Sequence, residues 1–449
     1  MQRLIAKYAL AAHLALVAVA PLSLSGFFSG SVVATAMLWL SAFAAVWMFM
    51  SPSVIGQERL REARRRVAHS FLADPLTWIM LFAVAVAAIR ALNGGIKMAY
   101  DAETTVWSIA PATFPLLPGT VDGFGYLPFA TSAAAMILIS ACRHALGKAG
   151  RSAFCLTAAV LAGATATAEL FTGPHGAQPE FHGFAYGIYF LTGTAAMAGA
   201  FEHRWNGAML LFALAIGATG AGLVAFADVL TVVYFLAAEI ALVSYVAFHV
   251  NATLRKDAGF KLLVVFALSL TIGLFMVLSL VPEDALARKV ASILSWELFP
   301  ENFFEVRSVL SDIAFRSWKV HPWLGSGLAS FPLDVRFFAA DSDWMVLAVE
   351  RPCAFNGYWH LLAERGIAGA ALLALPLVAL LGFFAIAMVK GIMAFRMPHP
   401  AALLGLLALA AVVLDAFFGV SFLRPEVMLA VAFSLAVSAK SFPKEKIDG

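Results

Sequence analysis

The sequence predicts an all-α, polytopic membrane protein of about 12 transmembrane helices, with a large extracytoplasmic helical loop between spans 9 and 10. Three observations carry this. Of 449 residues, 62% are hydrophobic and only 13% charged, whereas soluble chains average about 45–50% and 25%. Apolar runs of near-spanning length recur along the whole chain. The basic residues collect in alternate connections between those runs, as the positive-inside rule requires of a multi-pass chain.

In order, the expected spans are 8–28, 31–50, 76–92, 125–142, 152–171, 184–201, 208–225, 229–249, 262–281, 366–389, 401–420 and 425–439, the last being short. Arg3 and Lys7 precede the first run, which is followed at once by a second and reads as a transmembrane helix rather than a cleaved signal. The basic connections are Glu58 to Arg66, Arg143 to Arg151, Arg204, Arg255 to Lys261, Lys390 to Arg396, and Lys440 to Lys446. With twelve spans all of them fall on the side of the N-terminus, so both termini are expected in the cytoplasm. Cys142, Cys155 and Cys353 give no disulfide framework. Gly217, Gly220 and Gly222 in span seven are expected to let helices approach closely.

Three loops face the other side: 93–124, rich in Pro, Gly and aromatics; 172–183, with two histidines; and 282–365, the longest. Loops of that last length are usually functional. Residues 1–281 therefore read as spans 1–9, 282–365 as a periplasmic loop carrying the active site, and 366–449 as spans 10–12 with a cytoplasmic tail. Within the long loop, Ala285 to Leu298 and Phe303 to Val320 have helical periodicity. Pro322 ends the second helix, since the residue before proline leaves the helical region. Gly325-Ser326-Gly327 reads as a tight turn, and Asn356 to Gly366 as the start of the helix that becomes span ten.

The same loop holds the chemistry-bearing residues. Arg307 precedes the turn Pro322-Trp323-Leu324-Gly325-Ser326-Gly327, and Asn356 opens a helix carrying Glu364 and Gly366. This pattern resembles the carboxy-terminal signature of the O-antigen ligase and polymerase superfamily, over roughly 60 residues. The resemblance implies a metal- and cofactor-independent glycosyltransferase in the bacterial inner membrane. It would move a glycan from an undecaprenyl-pyrophosphate carrier to a sugar hydroxyl, on lipid A-core or on a growing polysaccharide, at the periplasmic face. Its partners would be that donor, that acceptor and membrane lipids, with no nucleic acid. Guanidinium groups suit the lipid pyrophosphate leaving group, whose oxygens they match bidentately. Two positions depart from the family pattern: Phe355 stands where a histidine usually precedes Asn356, and Thr219-Gly220-Ala221-Gly222 has no arginine where a Ser-Arg-Gly is usual.

Candidate catalytic residues are Arg307, His360 and His321; candidate substrate contacts are Arg316, Asn356, Glu364, Arg90, Glu169, Arg424 and Trp318; no metal site is expected. Asn356, His360 and Glu364 recur every four residues and share one helix stripe, where Glu364 would orient His360. Arg307 and Arg316 are nine apart and fall on opposite faces of one helix, so only one is expected to face the site. Ionisable residues inside spans are costly and rarely idle. Glu239 lies mid-way along span eight, while Glu169, Asp415, Arg90 and Arg424 gather at the outer side, under the long loop. Asn93, Trp107 and the Pro115 to Asp122 run are candidates to line a glycan path. Two rivals remain: a transporter of lipid-linked glycan, which also has twelve spans, and a family member that binds such a glycolipid without catalysis.

Overall fold

The computed structural model describes residues 148–173, 179–202, 206–253, 256–295, 303–327, 330–338, 353–393, 400–420 and 424–438, two strands at 98–101 and 106–109, and four isolated helical positions between 78 and 89. The spans expected at 8–28, 31–50 and 125–142, together with Arg90, lie outside the described residues. Met98–Asp101 (β1) and Val106–Ile109 (β2) form a short antiparallel hairpin with Tyr100 opposite Trp107. The other described elements are helices: α1 (Lys148–Thr172), α2 (Pro179–Glu202), α3 (Met209–Phe226), α4 (Val229–Thr253), α5 (Lys256–Leu280), α6 (Glu283–Leu294), α7 (Phe303–Val320), α8 (Phe331–Phe338), α9 (Gly357–Met393), α10 (Pro400–Phe418) and α11 (Pro425–Ser438).

Six of these, α1 to α5 and α10, are long and apolar enough to cross a membrane. Helix α9 makes a seventh if its two parts, which meet at 48°, count as one span. That bend falls between Leu372 and Leu377, a stretch that includes Pro376, whose nitrogen carries no hydrogen for the i→i−4 backbone bond. Helix α2 is the central one, with 94% of its span buried, whereas α5 is 22% buried and presents Phe260, Leu274, Phe275 and Leu278 outward. Lipid tails give no hydrophobic drive for helix association, so close packing of small residues must supply it. A Cβ on Gly217 of α3 would lie 2.7 Å from the Ser269 carbonyl of α5, and one on Gly273 would lie 2.9 Å from the Gly217 carbonyl. Several hydroxyls in the bundle are satisfied on their own helix: Thr167, Thr192, Thr219, Ser244, Ser269 and Thr271 each donate to the carbonyl four residues back.

One end of the bundle is defined by cross-contacts. Tyr186 near the start of α2 meets Phe226 at the end of α3. Tyr358 at the start of α9 donates to the Val413 carbonyl near the end of α10. Arg424, just before α11, stacks its guanidinium 4.4 Å over the ring of Phe181 in α2. The starts of α2, α9 and α11 and the ends of α3 and α10 therefore share one end, which also carries α6, α7 and α8.

Helix α6 begins two residues earlier than the periodicity predicts. It has Leu286, Val290, Ile293 and Leu294 on one face and Asp284, Arg288, Lys289 and Ser292 on the other, and it buries no residue. That is the pattern of a helix lying along a membrane surface. It is pinned by Lys289, whose Nζ donates to the carbonyls of Val224, Ala225 and Ala227 at 2.5, 2.9 and 2.7 Å. Those carbonyls are the unsatisfied acceptors at the C-terminus of α3, where a cation is favoured. Lys289→Met is expected to release α6 at a cost of about 1–3 kcal/mol. Amide exchange should rise across α6 and stay unchanged in the buried middle of α3; unchanged exchange in α6 would show that the ammonium does not hold it.

Candidate functional site

The site is built on a break in a helix. Asn356 caps α9, its Oδ1 accepting from the amides of Tyr358 and Trp359 at 3.1 Å each. The helix therefore starts at Gly357, nine residues before the start expected for span ten. At Gly366 the backbone leaves the helical region, with φ 63° and ψ −174°. A continuous helix would join the amides of Ile367 and Ala368 to the carbonyls of Ala363 and Glu364. Here all four groups bind the 322–327 turn instead. Ser326 and Gly327 donate to the carbonyls of Ala363 and Glu364 at 2.8 and 3.0 Å, and Ile367 and Ala368 donate to those of Pro322 and Trp323 at 2.9 and 3.1 Å. The turn is spliced into the helix, and each of these four groups keeps a backbone partner.

Only glycine permits this. Gly325 and Gly366 have φ of 71° and 63°, and a Cβ on either would lie 2.3 Å from the other segment's backbone. The turn is locked from behind by α8, an element the periodicity did not announce. Asp334 in α8 accepts at Oδ2 from the hydroxyls of Ser317, Ser326 and Ser330 at 2.8, 2.7 and 3.3 Å. Burial pushes the Asp334 carboxyl up to about 6; the Ser326 and Ser317 bonds pull the other way, and the Glu364 charge adds to the rise.

The expected site residues fall as follows. Arg307 of α7 holds its guanidinium 4.8 Å over the ring of Phe355. Phe355 is the one described non-glycine residue with positive φ, 47°. Thus Arg307 and Phe355 are in contact. Arg316 is on the other face, exposed and paired with Asp312 at 2.5 Å. Glu364 and His360 are both buried, with His360 Nε2 3.4 Å from Glu364 Oε1. His360 Nδ1 accepts the Ala354 amide at 3.5 Å, and its ring packs on Phe331. Trp318 donates to the Pro322 carbonyl at 3.2 Å and forms an aromatic group with Phe315 and Trp359. His321 is exposed and its carbonyl accepts the Gly325 amide.

Arg365 is buried at 4% exposure between Glu364 and Gly366, and the reading of the motif passed over it. The signal was an arginine inside an otherwise well-read helix turn. Glu169 is buried at 1% exposure near the C-terminal end of α1; His182 Nδ1 and the Tyr186 hydroxyl both donate to it at 2.9 Å. His182 was missed as well, although its spacing of four from Tyr186 puts both on one face of α2. Glu239 is buried in mid-bundle with the Thr194 hydroxyl donating to Oε1. Among the described residues, no three His, Cys, Asp or Glu side chains converge on a point where a metal ion would fit. The chain matches no protein-family model and no curated protein sequence.

Proposed function

We propose that the chain is a membrane glycosyltransferase of the O-antigen ligase type, with twelve spans and both termini in the cytoplasm of a bacterial inner membrane. It transfers a glycan from undecaprenyl-pyrophosphate to a sugar hydroxyl at the periplasmic face. The observation that carries this is the closure of the signature in space. Arg307, the Pro322 to Gly327 turn and the Asn356 to Gly366 helix start come from three separate stretches, and they interlock through the splice and the Arg307–Phe355 contact. The chemistry is consistent with the arrangement. A guanidinium fixed on an aromatic face next to a membrane-entering helix suits a diphosphate that arrives on a lipid tail and gains charge as its bond to sugar C1 breaks.

A second reading, a member that binds lipid-linked glycan without transferring it, is favoured by Phe355 standing at the histidine position. One assay separates the two. Purified protein in nanodiscs receives synthetic undecaprenyl-pyrophosphate-linked disaccharides and either lipid A-core or free oligosaccharide acceptors. Arg307→Ala is expected to lower turnover about 10- to 100-fold, and Arg307→Lys to restore little of it, because lysine lacks the planar fork. Donor binding without a new glycosidic bond for any acceptor would support the second reading. Movement of the lipid across the bilayer with no transfer would favour a transporter over both.

A further inference from the structure

Transfer to a hydroxyl needs a group that takes its proton, and position 355 is a phenylalanine here. The four described histidines differ sharply in their fitness for that task. His360 has Nδ1 on the Ala354 amide, Nε2 toward Glu364 and its ring against Phe331, all in a buried setting. His249 stacks on Tyr245 far along α4, toward the opposite end of the bundle from the splice. His321 is exposed on the loop, and no carboxylate contact orients it among the described residues. His182 alone of the four is paired at 2.9 Å with a carboxylate at the bundle end that carries α6, α7 and α8.

The geometry of that pair is specific. Glu169 is 1% exposed, so a charge there demands donors, and it has two: His182 Nδ1 from one side and the Tyr186 hydroxyl from the other. A carboxylate can only accept, so the His182 proton sits on Nδ1 and the Nε2 lone pair points away from Glu169. This is the carboxylate–imidazole arrangement in which the acid sets the tautomer and supports the imidazolium that forms. The His182 side chain keeps 15% of its surface exposed while its partner has almost none. The residue before it, Phe181, carries the Arg424 guanidinium at 4.4 Å, so positive charge lies beside the pair. The charged and titratable described groups around His182 include Glu169 of α1, Tyr186 of its own helix and Arg424 at the head of α11; Lys289 is committed to the end of α3, where it meets the carbonyl of Ala227, whose backbone packs against Gly183.

We infer that His182 is the proton acceptor of the transfer and that Glu169 is its positioning residue, an inference that rests on the glycosyltransferase reading above. The acceptor O–H proton passes to His182 Nε2 as the acceptor oxygen forms its bond to sugar C1. The C1–O bond to the carrier breaks, its electron pair stays on the phosphate oxygen, and undecaprenyl pyrophosphate leaves. Arg424 lies where it can meet part of the anionic charge.

The test uses the full chain in nanodiscs and the donors and acceptors named above, over pH 5–9. His182→Gln is expected to lower kcat about 10²- to 10⁴-fold, to keep the donor KM, and to flatten the acidic limb of the kcat profile. Glu169→Gln is expected to lower kcat less and to keep that limb, because the base remains. A His182→Gln protein of parental thermal stability with unchanged kcat and an unchanged acidic limb would overturn the inference and leave the glycosyltransferase reading standing. Should His182→Gln lose stability, His182→Ala with added imidazole decides: regained turnover supports the role, and none overturns it. A parent protein with no turnover on any donor removes the reading and this inference with it.

Discussion

Gly366→Ala is expected to abolish the junction of α7 and α9. Two independent costs meet at that residue. Its φ of 63° with ψ of −174° lies in a region that residues with a Cβ rarely enter, worth about 1–3 kcal/mol of strain. A Cβ there would also lie 2.3 Å from the carbonyl carbon of Trp323 and 2.4 Å from the amide of Leu324. Backbone cannot yield as a flexible side chain can, so the turn must withdraw. Withdrawal strips the amides of Ser326 and Gly327 of their acceptors together, at about 1–3 kcal/mol for each group left buried and unsatisfied, while the amides of Ile367 and Ala368 can turn back to the vacated carbonyls of Ala363 and Glu364. A total beyond about 4 kcal/mol follows, which places the variant in the rare, severe class. Hydrogen exchange reads it directly: the amides of Ser326 and Gly327 should lose protection together. Gly382→Ala is the control on the same helix. A Cβ there meets nothing within 4 Å, so the change should be neutral or stabilising by up to about 1 kcal/mol. Equal tolerance at both positions would show that the splice does not hold the junction.

That junction shows where the sequence was legible and where it was not. Hydropathy placed the ends of α3, α4, α10 and α11 within a few residues of where they lie, because span length is fixed by the bilayer and caps are local. The nine-residue interval between Arg307 and Arg316 foretold their opposite faces, since helical rotation alone decides it. The splice left no such trace. Its bonds run between backbone groups, which every residue carries, so only the glycines at 325, 327 and 366 hinted at it. Helix α8 was hidden for a different reason: Phe331–Phe338 is eight residues, too short for a period to register. Its start is set by tertiary contact, with the Phe331 amide 3.5 Å from Glu364 Oε1. The Glu169–His182 pair joins residues thirteen apart across a helix hairpin, and no spacing rule reaches across a loop. Expectations for Arg90 and the first four spans fall outside the described residues, apart from Trp78, Phe82, Ala85 and Ile89, whose spacing within 76–92 is helical.

Asp334 is expected to make the junction stronger in acid than at neutrality. Its folded value of about 6 lies above the ordinary 3.8, because burial penalises the charged form more than the serine bonds favour it. The sign follows from linkage. A group that binds its proton more tightly when folded stabilises the fold fully below pH 4, and that contribution is lost as the pH rises through 6. At 1.36 kcal/mol for each tenfold change in proton affinity, the loss is about 3 kcal/mol. Asp334→Asn keeps an acceptor oxygen for Ser317 and Ser326 and removes the buried charge. It should match the parent at pH 4 and exceed its stability by up to about 3 kcal/mol at pH 7.5. Asp334→Ala should instead fall below the parent near pH 4, by about 2–3 kcal/mol, since the buried Ser317 hydroxyl loses its acceptor and a void opens behind the turn. Denaturant melts of the three proteins in detergent from pH 4 to 8 supply the comparison, and differences between parent and variant cancel the titration of every other group. An Asn variant whose curve runs parallel to the parent's would mean that the Asp334 carboxylate is solvated and that the serine cage does not lock the turn. If the curves converge at low pH and separate above 6, the turn that joins α7 to α9 is held by an acid whose burial disfavours its anion more than the serine bonds favour it.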